Sequence, residues 1–394
     1  MEEPTTRAST GRNPAHDQAY DQSRAPRLLF FSGGSALRET SRRLIRHTRN
    51  SVHVITPFDS GGSSAVLRRA FGMPAVGDIR NRLMALADLD EPGVRELFAL
   101  FTCRLSQRES GPALRTELER MAGGAHVLAA LVPEPARGRV TGWLGEFLAA
   151  MPDDFDLRGA SVGNLALTAR WLAHGRRLAP AIDDVARLVG ARGLVRPVVE
   201  GDLHLAAGLA DGTVLVGQHR LTGKGGAPIA SPVDRIWLTG SPDDPAPVTV
   251  ALGDEVAGLV AGADLICYPV GSFFTSVVAN LLPHGVGRAV AACSGPKVFV
   301  PNPGGDPELF GQTVAGQVHL LRRTLADSGA PAGRGGAGSV LDHILVDGRA
   351  DYPGGLDRAA LTAAGLRVID TPLLGDEPGC FDPDRLAEAL LALV

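Results

Sequence analysis

The sequence predicts an α/β fold: a parallel sheet with helices around it, a helical insertion, and a small antiparallel β subdomain. Three observations carry that reading. Apolar strand runs end in small-residue turns that open helices, as in "LLFFSGGSALRETSRRLIRH", whose helix keeps Leu37, Leu44 and Ile45 apolar. A second strand, "SVHVIT", leads into "PFDSGGSS", and strands alternating with helices in this way call for parallel pairing through crossovers. Between these units and the later strands the pattern turns mostly helical ("VRELFALFTCRL", "LRTELERM", "VTGWLGEFLAAM"), which places an insertion over residues 89–152 at one edge of a ligand cleft. "SVGNLALTARWLAHG" reads as a further helix with Asn164 near its start. Third, "VRPVVEGDLHLAAGLADGTVLVGQHRL" alternates at period two around Asp211-Gly212, the pair that favours a two-residue hairpin, and assigns a β subdomain to 194–240. The parallel pattern resumes in "ADLICYPVGSFFTSVVANLL", "PKVFVPNP" and "VLDHILVDG". Residues 1–26 read as a disordered leader, residues 27–394 as the α/β domain, and "DSGAPAGRGGAGS" as a mobile loop.

Composition narrows the function classes. A chain of 394 residues with 44% hydrophobic and 21% charged residues suits a globular protein with a sizeable core. A formal net charge of −4 provides no broad field for a polyanion, so neither nucleic acid nor an anionic membrane surface is expected as a partner. Cys103, Cys267, Cys293 and Cys380 form no CxxC pair, which argues against a zinc site and a disulfide framework. No run reaches the roughly 18 apolar residues that span a bilayer, and the expectation is a cytoplasmic protein.

Three segments end a strand in a small-residue turn and then start a helix: "FFSGGSALR", "ITPFDSGGSSAVL" and "ICYPVGSFFTSVV". At the carboxyl ends of one parallel sheet they would converge, and amide N–H groups at such turns and helix starts bind anions. The candidate nucleotide-binding residues are therefore Gly33, Gly34 and Ser35; Gly61, Gly62, Ser63 and Ser64; and Gly271, Ser272, Thr275, Ser276 and Asn280. "GDIRN" adds Asp78, Arg80 and Asn81 at a further helix start, and Asn164 completes the set. The familiar fingerprints fail. The first turn is not GxGxxG, the run from Gly217 to Gly223-Lys224 has one residue too many for a Walker A loop, and Phe274 replaces the last glycine of GxSxG after Ser272. A carboxylate beside phosphates must bind a cation, take a donor hydroxyl, or meet a base or ribose, so Asp59 and Asp78 are functional candidates, with helix N-capping as the alternative for each. Asp59 is the candidate catalytic residue and metal ligand. His204 and His219 read as structural.

Taken in order from about Arg27 to Gly348, the segments "SGGSALRETSRRL", "FDSGGSSAVLRRAFGMPAVGDIRNRLMALAD", "SVGNLALTA", "VRPVVEGDLHLAAGLADGTVLVGQ", "GADLICYPVGSFFTSVVANLLPHGVGRAV" and "DHILVDG" resemble the CofD/YvcK-like superfamily. The resemblance implies a Rossmann-like three-layer core and a GDP- or UDP-linked nucleoside-diphosphate ligand. One branch consists of magnesium-dependent 2-phospho-L-lactate transferases, which move a phospholactyl group from a guanosine diphosphate donor to a deazaflavin hydroxyl. The other resembles UDP-sugar-binding regulators of carbon metabolism and cell shape, and the motifs lie nearer to it. The chain departs from its relatives at three places: Ser32-Gly33-Gly34-Ser35-Ala36 stands for GGGTG, Asp59-Ser60 for paired aspartates, and Pro269-Val270-Gly271-Ser272 for GPGS. The resulting expectation is a transferase in which Asp59 binds Mg2+ or positions the acceptor hydroxyl. The alternative is a non-catalytic nucleotide-sugar regulator, and self-association into a homo-oligomer stays open in either case.

Overall fold

A computed structural model describes residues 25–223, 228–331 and 338–394. Nearly all of the expected leader, the end of the Walker-like run and the centre of the expected mobile loop lie outside the described residues. Seven parallel strands form one sheet in the order β10-β9-β8-β7-β1-β2-β3. They are β1 (Leu28–Ser32), β2 (Val52–Ile55), β3 (Leu194–Pro197), β7 (Leu265–Tyr268), β8 (Lys297–Phe299), β9 (His343–Val346) and β10 (Arg367–Asp370). Between β3 and β7 the chain forms a second, three-stranded antiparallel sheet in the order β5-β4-β6, from β4 (His204–Leu209), β5 (Val214–Val216) and β6 (Val233–Thr239).

β1, β2 and β7 are buried at every position because helices cover both faces of a parallel sheet, which explains their continuous apolar runs. Along β1, Leu29 and Phe31 join one apolar cluster, reaching Val256, Val318 and Leu238, while Leu28 and Phe30 join another with Leu37, Leu44 and Leu390. These are the two outer layers of a three-layer α/β sandwich.

The helices that position the site come early. They are α1 (Arg38–Leu44), α2 (Gly62–Phe71) and α3 (Gly77–Leu86), then the inserted α4 (Val94–Thr102), α5 (Gly111–Ala122), α6 (Val127–Leu131) and α7 (Ala136–Ala150), followed by α8 (Val162–Ala173) and α9 (Leu178–Leu188). A short helix, α10 (Gln218–Leu221), follows β5. The insertion shares one core with α3, α8 and α9 through Leu97, Leu118, Phe147, Leu165 and Ile182. It is an integral wall of the domain.

One boundary differs from the sequence reading. The segment from Leu194 to Pro197 pairs in parallel with β2 and closes the large sheet, so the antiparallel sheet begins at His204. A four-residue apolar run carries too little periodicity to tell a buried parallel strand from the start of a meander. A hairpin turns at Asp211-Gly212, but its loop has three residues, Ala210 to Gly212, where two were expected: Leu209 N–H donates to Thr213 O at 2.8 Å, and Thr213 N–H to Asp211 Oδ1 at 2.9 Å. No helix among the described residues is long and apolar enough to cross a membrane.

Candidate functional site

The loop leaving β2 carries Asp59, whose Oδ1 accepts the Gly61 N–H at 3.0 Å and turns the chain into α2. After α2 the chain re-enters at Gly77 and begins α3. A β-carbon at Gly77 would sit 2.7 Å from Ser64 Oγ and 3.4 Å from Asp59 Oδ2, so only glycine lets the two helix starts approach this closely. The start of α8 joins them, because Ser63 Oγ accepts from Ser161 N–H at 3.2 Å and from Asn164 Nδ2 at 3.4 Å. Three helix N-termini thereby gather at one polar cleft of about 500 Å³. The N–H groups that open α2 and α3 make that cleft favourable for anions, whereas at α8 Ser161 N–H is spent on Ser63 Oγ and Val162 N–H on Cys103 O.

Arg80 adds a formal charge. It lies on α3, only 6% exposed, with Nε donating to Asn164 Oδ1 at 3.3 Å. Its terminal guanidinium nitrogens have no hydrogen-bond acceptor among the described residues. Burial first, and then the neighbouring positive charge of Arg104, push its pKa down to about 10, with Asp78 acting in the opposite direction. The group is cationic at neutral pH and short of acceptors.

The far wall belongs to α10, which follows β5, with Gln218 and His219 on the helix and Thr222 at its end. Ser60 Oγ lies 2.7 Å from His219 Nδ1 and accepts the His219 N–H at 3.3 Å. Buried Arg68 fixes the same loop from behind. Its Nη1 donates to Asp59 O at 3.2 Å and its Nη2 to Asp202 Oδ1 at 2.6 Å and Leu203 O at 2.7 Å. His204 sits against this arginine, and burial together with the Arg68 charge lowers its pKa. It holds the lobe in place from outside the cleft.

The structure therefore brings Asp59, Gly61, Gly62, Ser63, Ser64, Asp78, Arg80, Asn81 and Asn164 together around the cleft. The other two turns are placed differently. Gly33 and Gly34 are buried, and a β-carbon on them would overlap Ser276 Oγ and the Asp78 carboxylate, while Ser35 is exposed. That turn packs on the start of α3. The turn after β7 is already provided with acceptors. Phe273 N–H donates to Asp306 Oδ2, and Phe274 and Thr275 N–H both donate to Glu308 Oε2, each at 2.9 Å. Thr275 Oγ1 donates to Glu308 Oε1, and the Gly271 N–H donates to Asn302 Oδ1 at 2.8 Å. Asn280 Nδ2 is spent on Ser32 O at 3.1 Å and Ser276 O at 2.7 Å. Ser272 stands half-buried just before this turn of helix.

Sequence reasoning passed over Ser60, Gly77, Arg104, Gln218 and Thr222 and read His219 as structural, and these six residues complete the cleft lining. Ser60 and Gly77 lie inside motifs already singled out, so adjacency was an available signal. Arg104 sits in an otherwise ordinary helix end, and the α10 residues become neighbours only when the small sheet folds back. For a magnesium ion the cleft offers the single carboxylate of Asp59, whose Oδ2 lies beside the start of α3, and no group of three or more His, Cys, Asp or Glu gathers among the described residues. One carboxylate suffices for Mg2+ only when substrate phosphates and waters complete its shell.

Comparison with known proteins agrees with this architecture. Residues 28–374 match the family described as 2-phospho-L-lactate transferase CofD. The gluconeogenesis factor of Bacillus subtilis strain 168 is 28% identical over 334 residues, covering 84% of this chain and 82% of its own. A relative from Nostoc sp. strain PCC 7120 is 28% identical over 392 residues, 96% of this chain and 70% of its own. A crystal structure of a UPF0052-family protein from Bacillus halodurans superposes with a TM-score of 0.69 at 23% identity, covering 93% of this chain and 99% of that one, and shares the fold. The chain belongs to the 2-phospho-L-lactate transferase CofD family.

Proposed function

We propose that the cleft binds a nucleoside-diphosphate compound, GDP- or UDP-linked, and that the protein transfers a phospholactyl-like group from it to a hydroxyl acceptor. The observation that carries this reading is Arg80, a buried guanidinium with open terminal donors at the junction of three helix starts. Held by Asn164 at its Nε, this guanidinium offers its terminal donors to the cleft, and a charged planar donor of this kind suits a phosphate. The N–H groups opening α2 and α3, with the Ser63 and Ser64 hydroxyls, would hold phosphate oxygens. Asp59 would orient the acceptor hydroxyl by accepting its proton as the oxygen attacks phosphorus. The new O–P bond forms, the phosphoanhydride bond breaks, and the nucleoside monophosphate leaves. Preorganised donors do most of this work, because charge shifts among phosphate oxygens as the reaction proceeds. A magnesium ion held by Asp59 would supply Lewis acidity at the same oxygens.

A second reading, a nucleotide-sugar-binding regulator without turnover, draws on one feature of the cleft. The residue after Asp59 is Ser60, engaged with His219, so this loop offers a single carboxylate. The B. subtilis relative's name, gluconeogenesis factor, points the same way. Calorimetric titration with GDP, UDP, UDP-N-acetylglucosamine and lactyl-diphosphoguanosine, with chromatography for released nucleoside monophosphate, separates the two. Release that falls on the order of 10²-fold in Asp59→Asn, with metal-free binding retained, supports the transferase. Binding without release in the parent protein supports the regulator, and absence of binding rejects both.

A further inference from the structure

We propose that Arg104, delivered by the helical insertion, is a specificity-determining residue that joins Arg80 in gripping the second phosphate of a diphosphate, so that the cleft distinguishes di- from monophosphorylated ligands. The inference rests on the functional reading above and assigns a purpose to the insertion.

The backbone of Arg104 is fixed where α4 ends. Val162 N–H donates to Cys103 O at 3.1 Å, Leu105 N–H to Ala160 O at 2.9 Å, and Gly159 N–H to Leu105 O at 3.2 Å, with Arg104 opposite Ser161 in an antiparallel bridge. The strip that carries Arg104 is thus stapled to the residues leading into α8, one of the three helices that open on the cleft. An insertion packed by apolar contacts alone would need no such staple at this point. The side chain extends from it to line the cleft beside Asn164 and Arg80.

Its hydrogen bonding is incomplete. A guanidinium has five N–H donors, and Arg104 spends Nη1 on Gly159 O at 3.1 Å, with no carboxylate partner among the described residues. Arg80 lies in the same cleft, and the Arg104 charge adds to burial in lowering its pKa. The acids that share the hollow are Asp59, with one oxygen turned to the Gly61 N–H, and Asp78, at the start of α3. Two like charges from separate walls, both with spare donors, match one extended anion better than a single compact one. The N-terminal N–H groups of α2 and α3 suit one phosphate, and the arginine pair suits a neighbour covalently linked to it. Bidentate, planar donation is what arginine adds over lysine at such a group.

The test uses the full chain with Arg104→Gln and Arg104→Lys, titrated with inorganic phosphate, inorganic diphosphate, UMP and UDP. Arg104 is exposed and makes one side-chain hydrogen bond, so the thermal midpoint should stay near that of the parent. Arg104→Gln should weaken diphosphate and UDP on the order of 10- to 100-fold, the loss of a charge-assisted contact, while phosphate and UMP change less than about threefold. Arg104→Lys should recover part of the loss, since charge returns without the planar fork. Equal losses for UMP and UDP, or none, overturn the assignment while leaving the functional reading standing. A folded parent that binds none of the four probes, and neither GMP nor GDP, overturns both.

Discussion

The turn after β2 and the turn after β7 both aim amide N–H groups from the start of a helix, yet one meets a cleft and the other meets a pair of carboxylates. After β2, the starts of α2 and α3 converge with Arg80, and no side chain of the described residues accepts from its terminal donors. After β7, Glu308 and Asp306 reach back from the loop following β8 and take three successive N–H groups. The local chemistry is the same in both, because a strand, a small-residue turn and a helix start leave N–H donors that require an acceptor. What differs is the source of the acceptors. The second turn is supplied by its own chain and is a structural joint. The first leaves its donors facing the cleft, which is why we propose the ligand there.

The largest effect expected from this contrast is on stability at the filled turn. Glu308 is fully buried, and Glu308→Ala strands two N–H donors and the Thr275 hydroxyl. That should cost about 3 kcal/mol or more, read from the urea midpoint and slope. A loss below about 1 kcal/mol would break the comparison, because it would mean those donors are satisfied without the carboxylate. Arg80→Gln should do the opposite. Nucleoside-diphosphate affinity should fall on the order of 10- to 100-fold with stability nearly unchanged, since the cleft, not the core, is missing a partner. If Arg80→Gln unfolds the protein and leaves the affinity of the folded fraction intact, Arg80 is a structural ion and the two turns are alike.

A pH experiment sharpens the same contrast. Burial, and then repulsion from Asp306, raise Glu308 from an ordinary 4.5 to about 7. A carboxylate whose pKa is higher folded than unfolded binds more protons in the native state. Its contribution to stability is therefore full below about 4.5 and is lost as pH rises through about 7. Asp306 is shifted upward as well, chiefly by burial, and adds in the same direction. The urea midpoint of the parent should fall relative to Glu308→Gln between about pH 5 and pH 7. Parallel curves for the two proteins would remove titration of Glu308 from the account.

How much of this was legible beforehand follows from where each interaction is encoded. The alternation of apolar strands and helices gave the parallel sheet, because burial of both faces leaves its mark within each segment. The cleft residues Asp59, Gly61 to Ser64, Asp78, Arg80 and Asn81 were readable for a similar reason: the turn and the helix start that use them are adjacent in the chain. Glu308 was not recognised, since it meets Phe274 and Thr275 across 34 and 33 residues of sequence. One signal was available. β7 and β8 are neighbours in a parallel sheet, so the loops after them emerge at the same end, and "NPGGDPEL" carries two acids there. Arg104 and His219 depend on an insertion and a second sheet folding back onto the cleft, and no local pattern encodes those returns.

The smallest effect separates the two turns residue by residue. Thr275 and Asn280 are both wholly buried and bonded within the chain, so Thr275→Val and Asn280→Ala should each cost about 1 kcal/mol of stability and leave nucleoside-diphosphate affinity within twofold. Ser63→Ala is the matching change at the open turn. Ser63 Oγ ties the start of α8 to α2 through Ser161 and Asn164, and Asn164 in turn holds Arg80. Losing that hydroxyl should loosen the guanidinium and weaken affinity by about threefold to tenfold for a similar stability cost, the equivalent of roughly one neutral hydrogen bond. Equal costs in stability with unequal costs in affinity are what distinguish a joint from a site. If Thr275→Val weakens the ligand as much as Ser63→Ala, the carboxylates after β8 must give way on binding, and the filled turn belongs to the ligand site after all.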